Sequence, residues 1–283
     1  MHIGVALFFT AESIRAADLG RALEERGFES LWVPEHSHIP LSRGSEWPQG
    51  GALPQKYFEV MDPFVTLTAA ATATTSLKLA TGICLVPQRD LYQTAKTVAT
   101  LDLMSEGRFL FGIGAGWNAD EMANHGVDFK TRMKLMREKT EAMRAIWTED
   151  TAEYQGDMVE FGPLQTWPKP AQAGGPPVYV GGAFPYGARR ALRYGDAWLP
   201  HAKRPHYHIL DMMPEYRAMA AEAGRNIPVT VFGGEPDPDM LKRYQDAGIE
   251  RVVVNLDPMG RDQSLAELDE WVSAGVLSAV SGA

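Results

Sequence analysis

A single cysteine, Cys84, stands in the 283 residues, which excludes an internal disulfide and makes a reducing cytoplasm the simplest expected compartment. No apolar run approaches the roughly 20 residues that span a bilayer, so no membrane segment is expected. Basic residues are in the minority, 27 against 36 acidic ones. The resulting net charge of −9 argues against nucleic acid as a partner, because such affinity depends on side chains that neutralise phosphates. The opening MHIGVALFFT lacks the basic segment and cleavage site of a signal peptide and reads as a first strand. Low-complexity stretches, long repeats and a linker are also missing, which leaves one domain over residues 1–283. Small organic molecules are the expected partners.

What is present is an alternation. Apolar runs of strand length fall at Ile3 to Leu7, Ser30 to Val33, Leu77 to Val86, Phe109 to Ile113, Val178 to Val180, Ala197 to Leu199, Val229 to Phe232 and Arg251 to Asn255. Helical periodicity lies between and after them, near Glu12 to Arg26, Pro63 to Thr74, Leu91 to Met104, Lys130 to Trp147, Tyr186 to Tyr194, Tyr207 to Ala223, Pro238 to Ala247 and Ser264 to Ala274. Thr10 reads as the N-cap of the first helix and Gly27 as its C-terminal glycine. Eight strands alternating with eight helices, in a chain of this length with 45% hydrophobic residues, predict a (β/α)8 TIM barrel. Counting strands does not show that the sheet closes, and an open doubly wound sheet is the other arrangement.

Two connections are too long for simple barrel turns. Residues 34–61 follow the second strand and carry His36, His38, Trp47 and Tyr57 with several prolines and glycines, so they predict a lid or pocket wall. Residues 151–177, the insertion after strand four and its helix, hold a hairpin pattern with Gly156-Asp157 at the turn and read as a packing or dimer element.

Chemistry is expected where strands end, since the carboxyl ends of parallel strands are where α/β proteins build their sites. After strand two comes Trp32-Val33-Pro34-Glu35-His36, whose histidine is a side chain suited to proton transfer and stands beside a carboxylate. Either it moves a proton, or it is a loop histidine satisfied by backbone. Strand four ends in Gly112-Ile113-Gly114-Ala115-Gly116-Trp117, where a dinucleotide fingerprint would need a third glycine in place of Trp117. Those glycines, and Gly181-Gly182 ahead of a helix, instead allow a flat ring to approach bare backbone and free N–H groups to hold an anion. A bulky phosphorylated cofactor would use both.

These segments, WVPEH, TGICLVPQR, ATLDLMSEGRFLFGIGAGW, AIWTED, WPKP, PPVYVGG and LRYGDAW, cover nearly the whole chain and resemble the luciferase-like flavin and deazaflavin oxidoreductases. Within that family the chain looks most like the branch that uses the deazaflavin coenzyme F420. The resemblance implies a barrel with the cofactor in its carboxyl-terminal mouth, and hydride exchange with a small organic substrate. It places His36 beside the reactive ring and Glu35 at an acidic cofactor contact. Gly82 and Ile83 fall at a non-proline cis peptide and bulge behind the ring, followed by Leu85. Ala115, Gly116 and Asp120 fall at further cofactor contacts, and Gly181 and Gly182 at the phosphate-side backbone. His38, Trp47, Tyr57 and Trp117 are left to line the substrate pocket. Trp117 stands where some deazaflavin sugar dehydrogenases carry a catalytic glutamate, which speaks against a sugar-phosphate mechanism. A homodimer is implied as well.

Three other readings share the barrel. FMN in place of F420 would make the chain a two-component monooxygenase. A metal-dependent hydrolase would draw on His36, His38, His201 and Asp257, but its histidine pair belongs on strand one and no bridging lysine ends strand four. No metal is therefore expected. A barrel that binds cofactor without turning anything over is the third. Arg89 reaches either an anionic cofactor tail or a surface ion pair, Cys84 is expected buried and inert, and His206 and His208, read as helical, point in different directions.

Overall fold

The computed structural model describes residues 1–280, so the last three residues of the expected domain lie outside it. Its barrel strands are β1 (His2–Leu7), β2 (Ser30–Val33), β3 (Lys78–Thr81), β4 (Phe109–Gly114), β5 (Val178–Gly181), β6 (Ala197–Leu199), β7 (Thr230–Gly234) and β8 (Arg251–Leu256). They are parallel, in the order β7-β8-β1-β2-β3-β4-β5-β6. Single bridges from Trp198 to Val229 and from His201 to Phe232 join the two ends of that row. The helices that follow them are α1 (Ala16–Arg26), α2 (Pro63–Ala71), α3 (Leu91–Met104), α4 (Arg132–Thr148), α5 (Tyr186–Tyr194), α6 (Ile209–Glu222), α7 (Pro238–Asp246) and α8 (Arg261–Ser273). The barrel, not the open sheet, is the fold. No helix among the described residues is long and apolar enough to cross a membrane.

Strand alternation divides the core in two. One set of side chains packs outward under the helices, and a smaller set, including Ala6, Trp32, Ala80, Leu110, Tyr179 and Val253, fills the barrel. Small residues make room for the Trp32 ring. A side chain at Gly4 would put its Cβ 2.4 Å from the Ser30 hydroxyl and 2.9 Å from the Trp32 ring nitrogen, which itself donates to that hydroxyl. Trp32 then meets Tyr179 edge-on across the barrel, with centroids 5.6 Å apart. Below them Arg251 is buried, paired with Glu29 and bonded to Tyr179 and Thr230.

Some local expectations are corrected. Residues 77–86 are not one strand: the ladder stops at Thr81, a cis peptide joins Gly82 to Ile83, and only Cys84–Leu85 pair again with β4 before a 3-10 turn. Thr10 is not an N-cap, because α1 starts at Ala16; its backbone instead closes a turn with the Ser13 hydroxyl. Gly27 does end α1, at φ 85°. His206 and His208 are not helical. His208 is the N-cap of α6 and accepts from the Leu210 N–H.

Glu24 on α1 ties the helix layer to the start of β3. One of its carboxylate oxygens accepts from the Thr75, Ser76 and Leu77 N–H groups and the Ser76 hydroxyl. Burial pushes this carboxyl upward, but the Ser76 bonds and then those from Leu77 and Thr75 outweigh it and hold it at about 2. A depressed folded-state value means stability that is present above the ordinary carboxylate range and lost as pH falls toward 2. Between pH 5 and pH 2 the melting temperature should therefore fall more steeply in the native protein than in Glu24→Gln. Parallel curves would show that the bonds do not depend on the charge.

Candidate active site

Everything that converges on the barrel mouth starts from the long loop after β2. Residues 34–62 cross the mouth, with a short helix, Lys56–Glu59, near their end. The loop is tethered to the segment after β4: the Gly44 N–H donates to Asp120 at 2.6 Å and the Ala119 N–H to the Ser45 hydroxyl at 3.0 Å. Aromatic rings hold it down. Tyr57 lies 4.7 Å from Phe8, 5.8 Å from Trp47 and 5.4 Å from the His36 ring, and Trp117 meets His36 edge-on at 5.9 Å. Beneath this cover is a cavity of about 440 Å³, walled by His36, Trp47, Tyr57, Ile83, Trp117 and His201. A second cavity of about 210 Å³ shares the Ile83 wall and extends to Gly181 and Gly182.

His36 is oriented by a residue that no local pattern announced. Its Nδ1 lies 2.8 Å from Oε2 of Glu121, a fully buried carboxylate on the short helix Ala119–Asn124. The other oxygen of Glu121 accepts from the Ser37 N–H at 3.2 Å. A carboxylate only accepts, so Nδ1 carries the proton and Nε2 is the nitrogen left to the cavity. The sequence hint was slender: Asn118 accepts from the Glu121 N–H as an N-cap should, which marks a helix start after β4 but not what its side chains face.

Glu35, beside His36, is used differently from the expectation. It reaches the larger cavity's wall, yet one oxygen accepts from the Leu85 N–H at 2.6 Å and the other from Arg89 at 2.5 Å. Arg89 also bonds Asp62, the N-cap of α2, and burial that would lower its pKa is outweighed by Glu35. Arg89 is thus the partner of Glu35 rather than a ligand for an anionic tail. Cys84 is fully buried, and burial followed by the charge of Glu35 pushes its thiol well up, which keeps it inert.

The bare positions at Gly112 and Gly114 are filled first by the protein itself, although Gly114 also lines the smaller cavity. A Cβ on Gly112 would lie 1.9 Å from the Thr81 carbonyl oxygen, and one on Gly114 would lie 2.3 Å from Cδ1 of Ile83. Bare backbone on β4 therefore admits the bulged end of β3, and the side chain of Ile83 becomes the platform that both cavities share. Gly116, at φ 82°, lines both cavities, and Ala115, Gly181 and Gly182 line the smaller one. Leu85 and Trp117 are also in place. Two expected residues are not. Asp120 faces outward to the loop backbone, and His38 is turned away from the mouth, its ring between the Ser37 hydroxyl and the Asn124 side chain. His36 and His38 point to different sides because the chain after β2 has left the strand.

Sequence reasoning also missed the site role of three residues beyond Glu121. His201 after β6 lines both cavities and makes no side-chain hydrogen bond among the described residues; burial, reinforced by Arg204, pushes it down to about 3, so it stays a neutral imidazole. Arg190 and Arg204 line the smaller cavity. Among the described residues no group of three or more His, Cys, Asp or Glu is placed to hold a metal; Asp257 instead bonds Lys56 at 3.2 Å.

Residues 1–234 match the model of the family described as luciferase-like monooxygenase. The chain belongs to that family. An uncharacterized protein of Mycobacterium tuberculosis is 37% identical to this luciferase-like chain over 95% of it and 96% of the relative. The F420-dependent glucose-6-phosphate dehydrogenase of Amycolatopsis mediterranei is 27% identical over 72% of this chain and 58% of its own. Among solved structures, the monooxygenase RslO1 of Streptomyces bottropensis aligns with a TM-score of 0.78 at 19% identity, over 97% of this chain and 98% of that one. An F420-dependent secondary alcohol dehydrogenase in complex with an F420-acetone adduct aligns with a TM-score of 0.73 at 20% identity, over the full length of both. At these identities the structures speak for the fold alone. The luciferase-like chain is thus an oxidoreductase by family, with relatives and structural neighbours that use either F420 or FMN.

Proposed function

We propose that this luciferase-like enzyme exchanges hydride between coenzyme F420 and a small organic substrate, with His36 managing the proton. The observation that carries the reading is the His36–Glu121 pair facing a roofed slot floored by Ile83. The residues present fit a ring with an anionic tail: Ile83 supplies a flat apolar floor, and the bare backbone at Gly181 and Gly182 borders a cavity edged by an unpartnered arginine, Arg190. F420 when bound supplies the hydride chemistry. The chain supplies the rest. Ile83, Leu85, Ala115 and Gly116 hold and orient the ring, with Gly82 behind it. Trp47, Tyr57 and Trp117 exclude water and shape an apolar pocket. His36 takes a proton at Nε2 when substrate is oxidised or returns one when it is reduced, and the buried carboxylate of Glu121 favours the imidazolium that forms between.

F420 is preferred to FMN because named relatives that align with most of this chain are F420-dependent dehydrogenases, one of them a hydroxymycolic acid dehydrogenase of Mycobacterium tuberculosis. Titration of the purified protein with each ring compound, followed by fluorescence quenching, should give tighter binding of F420 than of FMN and negligible binding of NADPH. Micromolar FMN affinity without F420 binding would turn the assignment to a two-component monooxygenase.

A further inference from the structure

We propose that His38 and His125 form a two-imidazole site, outside the barrel mouth, for a divalent transition cation of the zinc type. The site is separate from the cofactor slot and stands whichever ring that slot takes. Nδ1 of His38 lies 2.9 Å from the Ser37 hydroxyl, and Nε2 of His125 lies 2.7 Å from the same oxygen. Two imidazole nitrogens, one from the loop after β2 and one from the end of the helix Ala119–Asn124, thus converge on one point, with ring centroids 5.5 Å apart. The other nitrogen of His38, Nε2, lies 2.9 Å from Oδ1 of Asn124. A carbonyl oxygen only accepts, so Nε2 carries the proton and Nδ1 turns its lone pair to the shared point. Metal-binding histidines are oriented in this way, by an acceptor on the nitrogen that does not bind.

A hydroxyl has one proton and can satisfy only one imidazole lone pair, so the second ring must turn an N–H to Ser37 instead. A cation takes both lone pairs at once. Zinc bonds imidazole nitrogen at about 2.0–2.1 Å, which asks each ring to close in by less than about 1 Å on an ion at the hydroxyl's place. Both rings are exposed and can make that movement, and water can complete the shell. Imidazole suits zinc, copper and nickel, whereas magnesium and calcium prefer oxygen ligands. Two protein ligands fall short of the closed set of a structural metal, and no group of three or more is present among the described residues, so the ion exchanges with the medium. Three of the seven histidines, His36, His38 and His125, stand on these two segments, and the segments also carry the His36–Glu121 pair. An ion on His38 and His125 would tie the loop to that helix beside the existing bond from Gly44 to Asp120.

The test is a calorimetric titration of the untagged chain with zinc chloride. The native protein should take up one ion per chain, and His38→Ala and His125→Ala should each weaken that binding by roughly 10-fold or more. His206→Ala, which removes another exposed histidine, should bind zinc as the native protein does, and magnesium chloride should give no binding. Zinc should raise the melting temperature of the native protein but not of the His38 or His125 variant. A second measurement needs no variant: zinc should protect His38 and His125 of the native chain from acylation by diethyl pyrocarbonate, read by mass spectrometry, while His206 is acylated at the same rate with and without the ion. Native affinity in both single variants, no uptake by the native protein, or acylation of His38 and His125 that zinc leaves unchanged would each overturn the site.

Discussion

Replacing His36 by alanine is expected to lower turnover by roughly 10²-fold or more, the scale of a positioned acid–base group, while cofactor affinity changes far less. The geometry makes a sharper forecast for its partner. The Glu121 carboxylate is fully buried and, among the described residues, its partners are the His36 ring and the Ser37 N–H. In Glu121→Gln an amide nitrogen can donate to Nδ1, which moves the ring proton to Nε2 and removes the acceptor from the cavity. That variant should bind cofactor normally, react slowly and lose the native dependence of rate on pH, whereas Glu121→Asp should recover part of the rate. His38→Ala should be close to native, because its ring is occupied outside the mouth. Single-turnover rates with a substrate that the native enzyme oxidises or reduces would check all four. A slow His38→Ala beside a fast His36→Ala would move the assignment; native rates in both would leave the histidines as lining only.

The second large effect is expected at the glycines of β4, and it should split. In Gly112→Ala the new methyl meets the Thr81 carbonyl oxygen at 1.9 Å, and that oxygen is backbone and cannot swing aside. Thr81 also donates its hydroxyl to the Gly112 carbonyl at 2.6 Å, so the two strands are locked together there. Overpacking of this kind should cost about 3 kcal/mol or more and lower the melting temperature by several degrees. In Gly114→Val the first contact is instead the end of the Ile83 side chain. That end is flexible and lines the slot, so the protein should stay folded and lose roughly 10²-fold or more in ring affinity. Calorimetry and ligand titration on the two variants separate the outcomes. Unchanged affinity in a folded Gly114→Val would show that Ile83 is not the floor.

How much of this was legible in advance depends on distance along the chain. The lid and the position of His36 are marked by local chemistry, proline and glycine after β2 and a histidine where a strand ends, whereas the Gly82-Ile83 break is implied only by the family resemblance of the TGICLVPQR run. The partner of His36 lies 85 residues away and has no such mark. Asp120 is adjacent to Glu121 and was the expected contact; the turn of the helix Ala119–Asn124 decided that the second, not the first, faces inward. Arg190 lies on α5 and Arg204 in the two-residue strand Lys203–Arg204, and neither segment signals in sequence that these side chains line the cavity.

By itself, then, the sequence determined the alternation of strand and helix from its periods, the lack of an internal disulfide from its single cysteine, and the family from the motifs it shares. Tertiary structure decided that the row of strands closes, that β4 is bare to admit Thr81 and Ile83, that Glu35 belongs to Arg89 and Leu85, and that Glu121 holds His36. The physical reason is that periodicity fixes which face of an element is buried but not what stands opposite it. Closure of the barrel brings the ends of all eight strands to one mouth, and only there do charges and rings from distant segments find, or fail to find, their partners.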